Sequence, residues 1–335
     1  MKRYFISLDS IADYTNLVMA FHKAARAKRY RPEVQIFLQN FNQNIYALSQ
    51  LILKGKMPLG SFRAFQIRDP KPRLIHAACF EDRIFHHAVM NQAGEILDRS
   101  MSPFSYACRP NKGIHSAILQ VQSNLQGFEW YGKIDIAGYF ATIDHVILLS
   151  ILQRKFKGEL FIGQLERIVA SYQATQDKGL PIGSLTSQYF ANFYLDGLDR
   201  FLEQHPLVSA YVRYMDDVVW WCREKTHLKI TLAAIEAYLH QQRHLVIKEQ
   251  KQLQASRQGI CYCGFHVTQG AIRLSKRRKQ RFLERRQYWE GLYQQDMINP
   301  QQLQRAYAAT QAMTAHTDSL AWRRENLRRF PALDV

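Results

Sequence analysis

The chain has 335 residues, with 45 Lys+Arg against 28 Asp+Glu and a formal charge of +17. That length exceeds the roughly 100–200 residues of one typical domain, so two or three subdomains are expected. The charge suits a polyanionic partner, nucleic acid before an anionic membrane: no apolar run approaches the ~20 residues of a spanning helix, and MKRYFISLDSIADY lacks a secretory core, so a soluble intracellular protein is expected.

In chain order, residues 9–53 carry apolar side chains at helical spacing, among them Ile36, Phe37, Phe41, Ile45, Leu48 and Ile52, and the pattern breaks at Gly55 and Pro58. FRAFQIRDPKPRLIHA follows, where Pro70 and Pro72 separate two strands of a hairpin. Helix returns over Phe80–Leu97, a polar turn runs from Pro103 to Gly113, and another helix covers His115–Leu125. Strands are predicted at Trp130–Ile136, Val208–Tyr214, Val218–Cys222 and Cys261–Val267, with helices at His145–Phe156, Gly163–Tyr172, Thr186–Leu202 and Leu228–Arg243. The layout is α+β. A basic helical tail runs from Ser275 to Phe330, opening on SKRRKQRFLERRQYW. With no repeat or low-complexity linker, the parts should pack as one body.

The five cysteines are scattered and odd in number, which argues against a disulfide framework. Cys261 and Cys263 lack the second ligand pair of a zinc knuckle and read as core residues on one strand face.

Two segments carry chemistry. Lys133-Ile134-Asp135-Ile136-Ala137-Gly138-Tyr139-Phe140 is an apolar strand ending on a carboxylate. Tyr214-Met215-Asp216-Asp217 sets two carboxylates between apolar strands, as at a hairpin tip. Adjacent like charges are unfavourable unless solvated or neutralised, and Mg²⁺ supplies neutralisation while keeping positions open for phosphates. Three carboxylates fit a two-ion site of the kind that joins nucleotides. Adjacent strand residues point apart, so Asp135 and Asp216 are assigned both ions and Asp217 a secondary place. Alone, each segment is equally well a solvated turn or a strand end.

DIAGYF at 135–140, GLPIGSLTSQYFANFYL at 179–195 and YMDD at 214–217 resemble successive signature blocks of reverse transcriptases. KPRLIHAACFEDRIFHHAV at 71–89 and SYACRPNKGIHSAI at 105–118 resemble blocks of the bacterial branch that includes group II intron enzymes. HLVIKEQKQL at 244–253 is similar to the lysine-bearing block, and GICYCGFHV at 259–267 to the primer grip. Where most of these enzymes have Gln-Gly and Ser-Pro, this chain has Ile182-Gly183 and Ser187-Gln188, a pattern resembling diversity-generating retroelements. The short length agrees with that resemblance, and no added maturase and endonuclease region is expected.

The resemblance implies a right-hand polymerase: an N-terminal helical extension over 1–60, fingers over 61–131 with part of 146–180, a palm over 132–270 and a basic helical thumb over 271–335. It implies two Mg²⁺ ions at Asp135, Asp216, Asp217 and the neighbouring Ile136. Lys71, Arg73 and Arg63 would meet the incoming triphosphate, Phe140 would exclude a 2′-hydroxyl, and Ile182, Gln188 and Lys251 would complete the nucleotide site. Most surface cations are simply solvated, and a Phe after a strand is ordinarily core; the family frame is what favours these roles. Asp144 precedes a helical run and reads as its N-cap, so it and His145 stay outside the site.

For nucleic acid, the candidates are Arg109, Lys112, Tyr214, Gly264 and the run Lys276, Arg277, Arg278 and Lys279, a run that reads equally well as an exposed helix face. Phe282, Tyr288, Trp289 and Tyr293 interleave with the basic tail. A hybrid duplex near A-form offers a shallow minor groove that such helices can follow through backbone contacts. Replacing an amide by Ile182 removes a hydrogen-bonding group, and reduced discrimination is the expected consequence.

The implied role is mutagenic retrohoming in a bacterial or phage-encoded cytoplasmic setting: a template-repeat RNA is copied from deoxynucleoside triphosphates into cDNA with errors at template adenines. A small basic pentameric accessory protein would assist. A group II-like or defence-associated reverse transcriptase of ordinary fidelity, or a catalytically silent RNA-binding scaffold, are the alternatives.

Overall fold

The apolar spacing over 9–53 resolves into four helices after a short β1 (Tyr4–Phe5): α1 (Leu8–Ala12), α2 (Tyr14–Ala24), α3 (Pro32–Gln39) and α4 (Phe41–Leu53). Their starts are written locally. Ser7 and Asp13 accept hydrogen bonds from Ser10 N and Asn16 N, and Pro32 opens α3, where a missing N–H costs nothing. The computed structural model describes residues 3–68 and 72–333, so Lys71 lies outside the described residues.

The expected hairpin is β2 (Phe62–Arg68) and β3 (Pro72–Ala78), paired antiparallel from Phe62↔Ala78 to Arg68↔Pro72. It leads into α5 (Phe80–Ser100), α6 (Ile114–Gly127) and β4 (Trp130–Asp135). Then come α7 (Tyr139–Thr142), α8 (His145–Lys155), β5 (Phe156–Lys157), α9 (Glu159–Ala170), α10 (Leu185–Tyr194) and α11 (Asp196–Gln204). The acidic hairpin is β6 (Ala210–Tyr214) and β7 (Asp217–Cys222), followed by α12 (Lys225–Arg243), β8 (Gln252–Ala255), β9 (Ile260–Tyr262), β10 (Phe265–Val267) and β11 (Ile272–Leu274). The tail forms α13 (Lys276–Gln294), α14 (Pro300–Gln311) and α15 (Leu320–Arg329).

The chain divides into two compact units. It passes between them at turns or inside elements, so no compositional linker marks the division. The first unit comprises Met1–Arg109, Asp135–Gln204 and Ala233–Gln250. In it α2 packs along α5, and α10 against α5. The rings of Phe21, Phe37 and Phe80 meet at centroid distances of 5.4–5.7 Å, the edge and stacked contacts that fix helix positions in a core.

The second unit comprises Pro110–Ile134, His205–Leu232 and Lys251–Val335. Its four-stranded sheet has the order β6-β7-β4-β8, with β6 antiparallel to β7 and β4 antiparallel to β8. Val218 to Cys222 are all buried, so β7 is covered on both faces, as a continuous apolar run requires. A second sheet, β11-β10-β9, precedes the three tail helices.

Two expected elements divide. The helix over Thr186–Leu202 breaks at Leu195, and Asp196 starts a new helix while its carboxylate accepts a hydrogen bond from Ser102 N at 3.0 Å. The strand over Cys261–Val267 is a hairpin whose turn residues, Cys263 and Gly264, have φ of 48° and 82°. Two successive positive φ values are the two-residue hairpin pattern, and Gly favours it. Cys261 is exposed and Cys263 sits in the turn, so they are not a core pair on one strand face.

Candidate active site

Asp135 is the last residue of β4. Beside it, in the first unit, runs the segment after α12: Ala137 N donates to Val246 O at 2.9 Å, Lys248 N donates to Asp135 O at 2.8 Å, and Ile136 bridges Ile247. This register sets Lys248 Nζ 2.7 Å from Asp135 Oδ1. The lysine of this block that reaches the carboxylate is therefore Lys248. Lys251, singled out from the sequence, is exposed and belongs to the other unit. Ile136 is fully buried, leaving its main chain as the part able to serve a ligand.

In the second unit, Tyr214 pairs with Asp217, which leaves Met215 and Asp216 as the two-residue tip. Met215 takes φ 58°, a left-handed conformation that strains a long side chain, and the buried Arg213 donates to its carbonyl at 3.0 Å. Asp217 is held by its own neighbours. Lys133 Nζ lies 3.3 Å from Asp217 Oδ2 and donates to Cys261 O at 2.8 Å, and Tyr262 donates its hydroxyl proton to Asp217 O at 3.1 Å. Burial, with the Asp217 charge second, pushes the Tyr262 hydroxyl well above its ordinary pKa, so it remains a donor. Neither Lys133 nor Lys248 was identified from sequence; lysine beside a strand-end carboxylate was the available signal.

All three side chains offer hard carboxylate oxygens, the ligands Mg²⁺ takes. Among the described residues no three His, Cys, Asp or Glu side chains are gathered as a closed metal cage. Mg²⁺ bound through one or two carboxylates and substrate phosphates requires none, so the donor set fits.

Main-chain bonds connect the nucleotide-site candidates of the first unit. Leu180 N donates to Phe140 O at 2.7 Å, and His76 N, on β3, donates to Ile182 O at 3.0 Å. Gly183 follows at φ 115°, where a Cβ would lie 2.9 Å from Ile75 Cγ2; a side chain there would push the β2–β3 hairpin away. Ile182, Gln188 and Phe140 are all half-buried. Beneath this block, His86 Nδ1 lies 2.7 Å from Thr186 Oγ1 and 3.0 Å from Ser184 Oγ. Burial, then the charge of His87, lowers the His86 pKa to about 4, and the ring is neutral at pH 7. On the hairpin itself, Arg63 and Arg73 are exposed and share one face, since Arg63 pairs with Ala77 and Arg73 with Ile67.

The remaining candidates separate. Arg109 is not a template contact in this structure: its guanidinium is buried, paired with Asp98 at 2.6 Å and bonded to the carbonyls of Asp98, Ser102 and Ser105. It braces the turn before α6, and Lys112 in that turn is half-buried. Tyr214 is half-buried at the end of β6. Gly264 admits Arg278, whose Nε would lie 2.6 Å from a Cβ there; Arg278 stacks 4.0 Å over Phe265 and donates to Cys263 O. Lys279 lies 5.5 Å over Trp322, while Lys276 and Arg277 are exposed. Asp144 caps α8 as expected, accepting from Ile147 N at 3.1 Å. His145 is buried, with Nε2 2.7 Å from Gly179 O.

The profile of the reverse transcriptase (RNA-dependent DNA polymerase) family matches residues 67–267, more than half of the chain. Among curated relatives, the group II intron-encoded protein LtrA of Lactococcus lactis subsp. cremoris is 29% identical over 141 residues, 40% of this chain and 23% of LtrA. Protein YkfC of Escherichia coli K12 is 23% identical over 215 residues, 60% of this chain and 54% of that protein. A putative COX1/OXI3 intron 2 protein of Saccharomyces cerevisiae is 26% identical over 175 residues, 49% of this chain. The chain spans 19% to 54% of the length of these relatives. In structure, apo telomerase from Candida tropicalis is similar with a TM-score of 0.50 and 11% identity, over 64% of this chain and 48% of that one, a likeness of fold alone. The mixed helix and strand fold is that of a right-hand polymerase, and no helix among the described residues is long and apolar enough to cross a membrane. The chain belongs to the reverse transcriptase family.

Proposed function

We propose that this chain is an RNA-directed DNA polymerase of the diversity-generating retroelement kind, extending a DNA 3′ end on a template-repeat RNA with errors at template adenines. The observation that carries the reading is Ile182: its carbonyl is held by His76 N on the fingers hairpin, and the side chain beside Gly183 is apolar where an amide would hydrogen-bond. Two Mg²⁺ ions at Asp135, Asp216 and Asp217, with the main chain of Ile136, would activate the 3′-hydroxyl and stabilise the pyrophosphate.

The chain's own groups do the rest. Arg63, Arg73 and Lys71 meet the triphosphate, planar guanidinium groups being suited to bidentate phosphate contact. Phe140 fills the space a 2′-hydroxyl would need. Lys133 and Lys248 orient the carboxylates they touch. Lys276 to Lys279 occupy the first turn of α13, where the helix dipole opposes positive charge, so a neutralising nucleic acid backbone stabilises that end. The partners are the template RNA, the RNA/cDNA duplex, deoxynucleoside triphosphates and a small basic pentameric accessory protein, in the cytoplasm of a bacterium.

Sequencing cDNA made on a defined RNA tests the reading: substitutions should concentrate opposite adenine. Uniformly low error would favour the second reading, a group II-like reverse transcriptase of ordinary fidelity, which the similarity to LtrA supports. An absence of extension with RNA binding intact would favour the scaffold.

A further inference from the structure

Helix α13 presents two different surfaces. Its first turn carries the exposed Lys276 and Arg277. Further along, Arg285 and Trp289, one helical turn apart, face α14 across a groove of about 310 Å³ that is also lined by Ile298, Gln302, Arg305 and Ala309. No acidic side chain lines it. Arg285 and Arg305 are exposed, one from each helix, and neither makes an ion pair or hydrogen bond among the described residues. Elsewhere on these helices cations are used internally, as where the buried Arg286 holds Glu290 at 2.7 Å. Trp289 is half-buried, its ring met edge-on by Tyr288 at 5.4 Å.

We propose that this groove binds one unstacked nucleotide of a single-stranded nucleic acid, with the base against Trp289 and the flanking phosphates on Arg285 and Arg305. An aromatic face gives a stacking platform for any base, and a guanidinium on either side supplies backbone contacts without reading sequence. Single strands fit the groove and duplexes do not, because paired bases are stacked on each other and cannot enter a slot between two helices. The site therefore differs from a duplex cradle, the role expected of the basic tail as a whole, and takes strand lying outside the hybrid. It rests on the nucleic acid reading above but not on polymerisation.

The test uses the full chain in EDTA, without nucleotides. Binding of a fluorescein-labelled single-stranded RNA 12-mer and of a blunt RNA/DNA hybrid of about that length is followed by anisotropy across a salt series. Trp289→Ala should weaken the single strand roughly 5- to 150-fold, with Trp289→Phe restoring most of it, and leave the hybrid within about twofold. Arg285→Ala and Arg305→Ala should each reduce the single-strand salt slope by about 0.7. Equal losses for hybrid and single strand would assign these residues to the duplex cradle and overturn the proposal, as would no loss for either. Thermal melting of each variant separates lost binding from lost fold: a variant melting as the parent while losing only the single strand supports the site. Unfolding of Trp289→Ala moves the decision to the two arginine variants, whose unchanged salt slopes would overturn it. Primer extension by the parent chain reports separately on the polymerase reading.

Discussion

Two antiparallel hairpins of this chain have the same topology and opposite physical character. β6–β7 is buried along nearly its whole length, with Trp220, Trp221 and even Arg213 shut away from water, and it carries Asp216 at its tip and Asp217 beside it, the latter paired with Lys133. β2–β3 is exposed over nearly all of β2 and the first three residues of β3, Phe65 at 44% and Leu74 at 53%, and one face carries Arg63 and Arg73. A group that must hold a fixed position over many turnovers belongs on the first kind of scaffold. A group that must reach for a triphosphate and release pyrophosphate belongs on the second.

The contrast breaks most directly at the carboxylates. Asp216→Asn or Asp135→Asn should lower extension by at least about 10³-fold in Mg²⁺ with little change in melting temperature, several kcal/mol of charge stabilisation being at stake. Extension at the parental rate from either variant would remove that residue from the site.

Acid offers a second test, directed at the anchor of the exposed hairpin. His86 bonds Ser184 and Thr186 beneath the block whose Ile182 carbonyl holds β3. Its folded pKa of about 4 lies below the ordinary 6.5, so the unfolded chain takes up the proton first. This contribution to stability is complete above about pH 6.5 and is lost as pH falls toward 4, on the order of 3 kcal/mol. His87, lowered to about 4 by burial and then by Lys23 and Arg83, acts in the same direction. Thermal melting between pH 8 and pH 4.5 should show the decline, and His86→Gln should flatten it; an unchanged slope would mean that the ring titrates normally.

What could be read in the sequence follows the range of the interactions involved. The YMDD tip, the β2–β3 hairpin and the Asp144 cap are each specified within a few residues, and each was legible. The pairing of 135–137 with 246–248 that delivers Lys248 joins distant segments, and no local pattern marks it. Leu195 ends α10 with neither Gly nor Pro, because Asp196 is drawn to Ser102 from another part of the chain. The turn at Cys263-Gly264 did have a local signal, the glycine, which the surrounding apolar alternation obscured. Arg109 looked available because a polar turn is ordinarily solvated, yet three carbonyls and Asp98 converge on it.

The exposed hairpin gives a smaller, binding-type effect. Arg73→Ala should raise KM for deoxynucleoside triphosphates about 10- to 100-fold, the value of a charge-assisted contact to phosphate, with kcat less affected. Because Arg73 is exposed, its loss should change stability by under about 0.5 kcal/mol. A fall in kcat with KM unchanged would place Arg73 on the rigid side of the comparison.

The smallest effect tests whether the region between these extremes sets accuracy. Ile182 is held through its backbone, by the bond from His76 N, so replacing its side chain should leave the anchor in place. Ile182→Gln returns a group able to donate and accept hydrogen bonds at a half-buried position, with a change in volume small enough for the site to absorb. Misincorporation opposite template adenine should fall several-fold, read by sequencing cDNA from a defined RNA, while extension opposite the other bases stays within about twofold, since one hydrogen bond contributes only about 0.5–1.5 kcal/mol. An unaltered error spectrum with a normal melting temperature would reduce Ile182 to packing against the hairpin and shift the source of any infidelity to Gln188. A loss of extension would instead mean that the block positions β3 through the Ile182 side chain as well as its carbonyl.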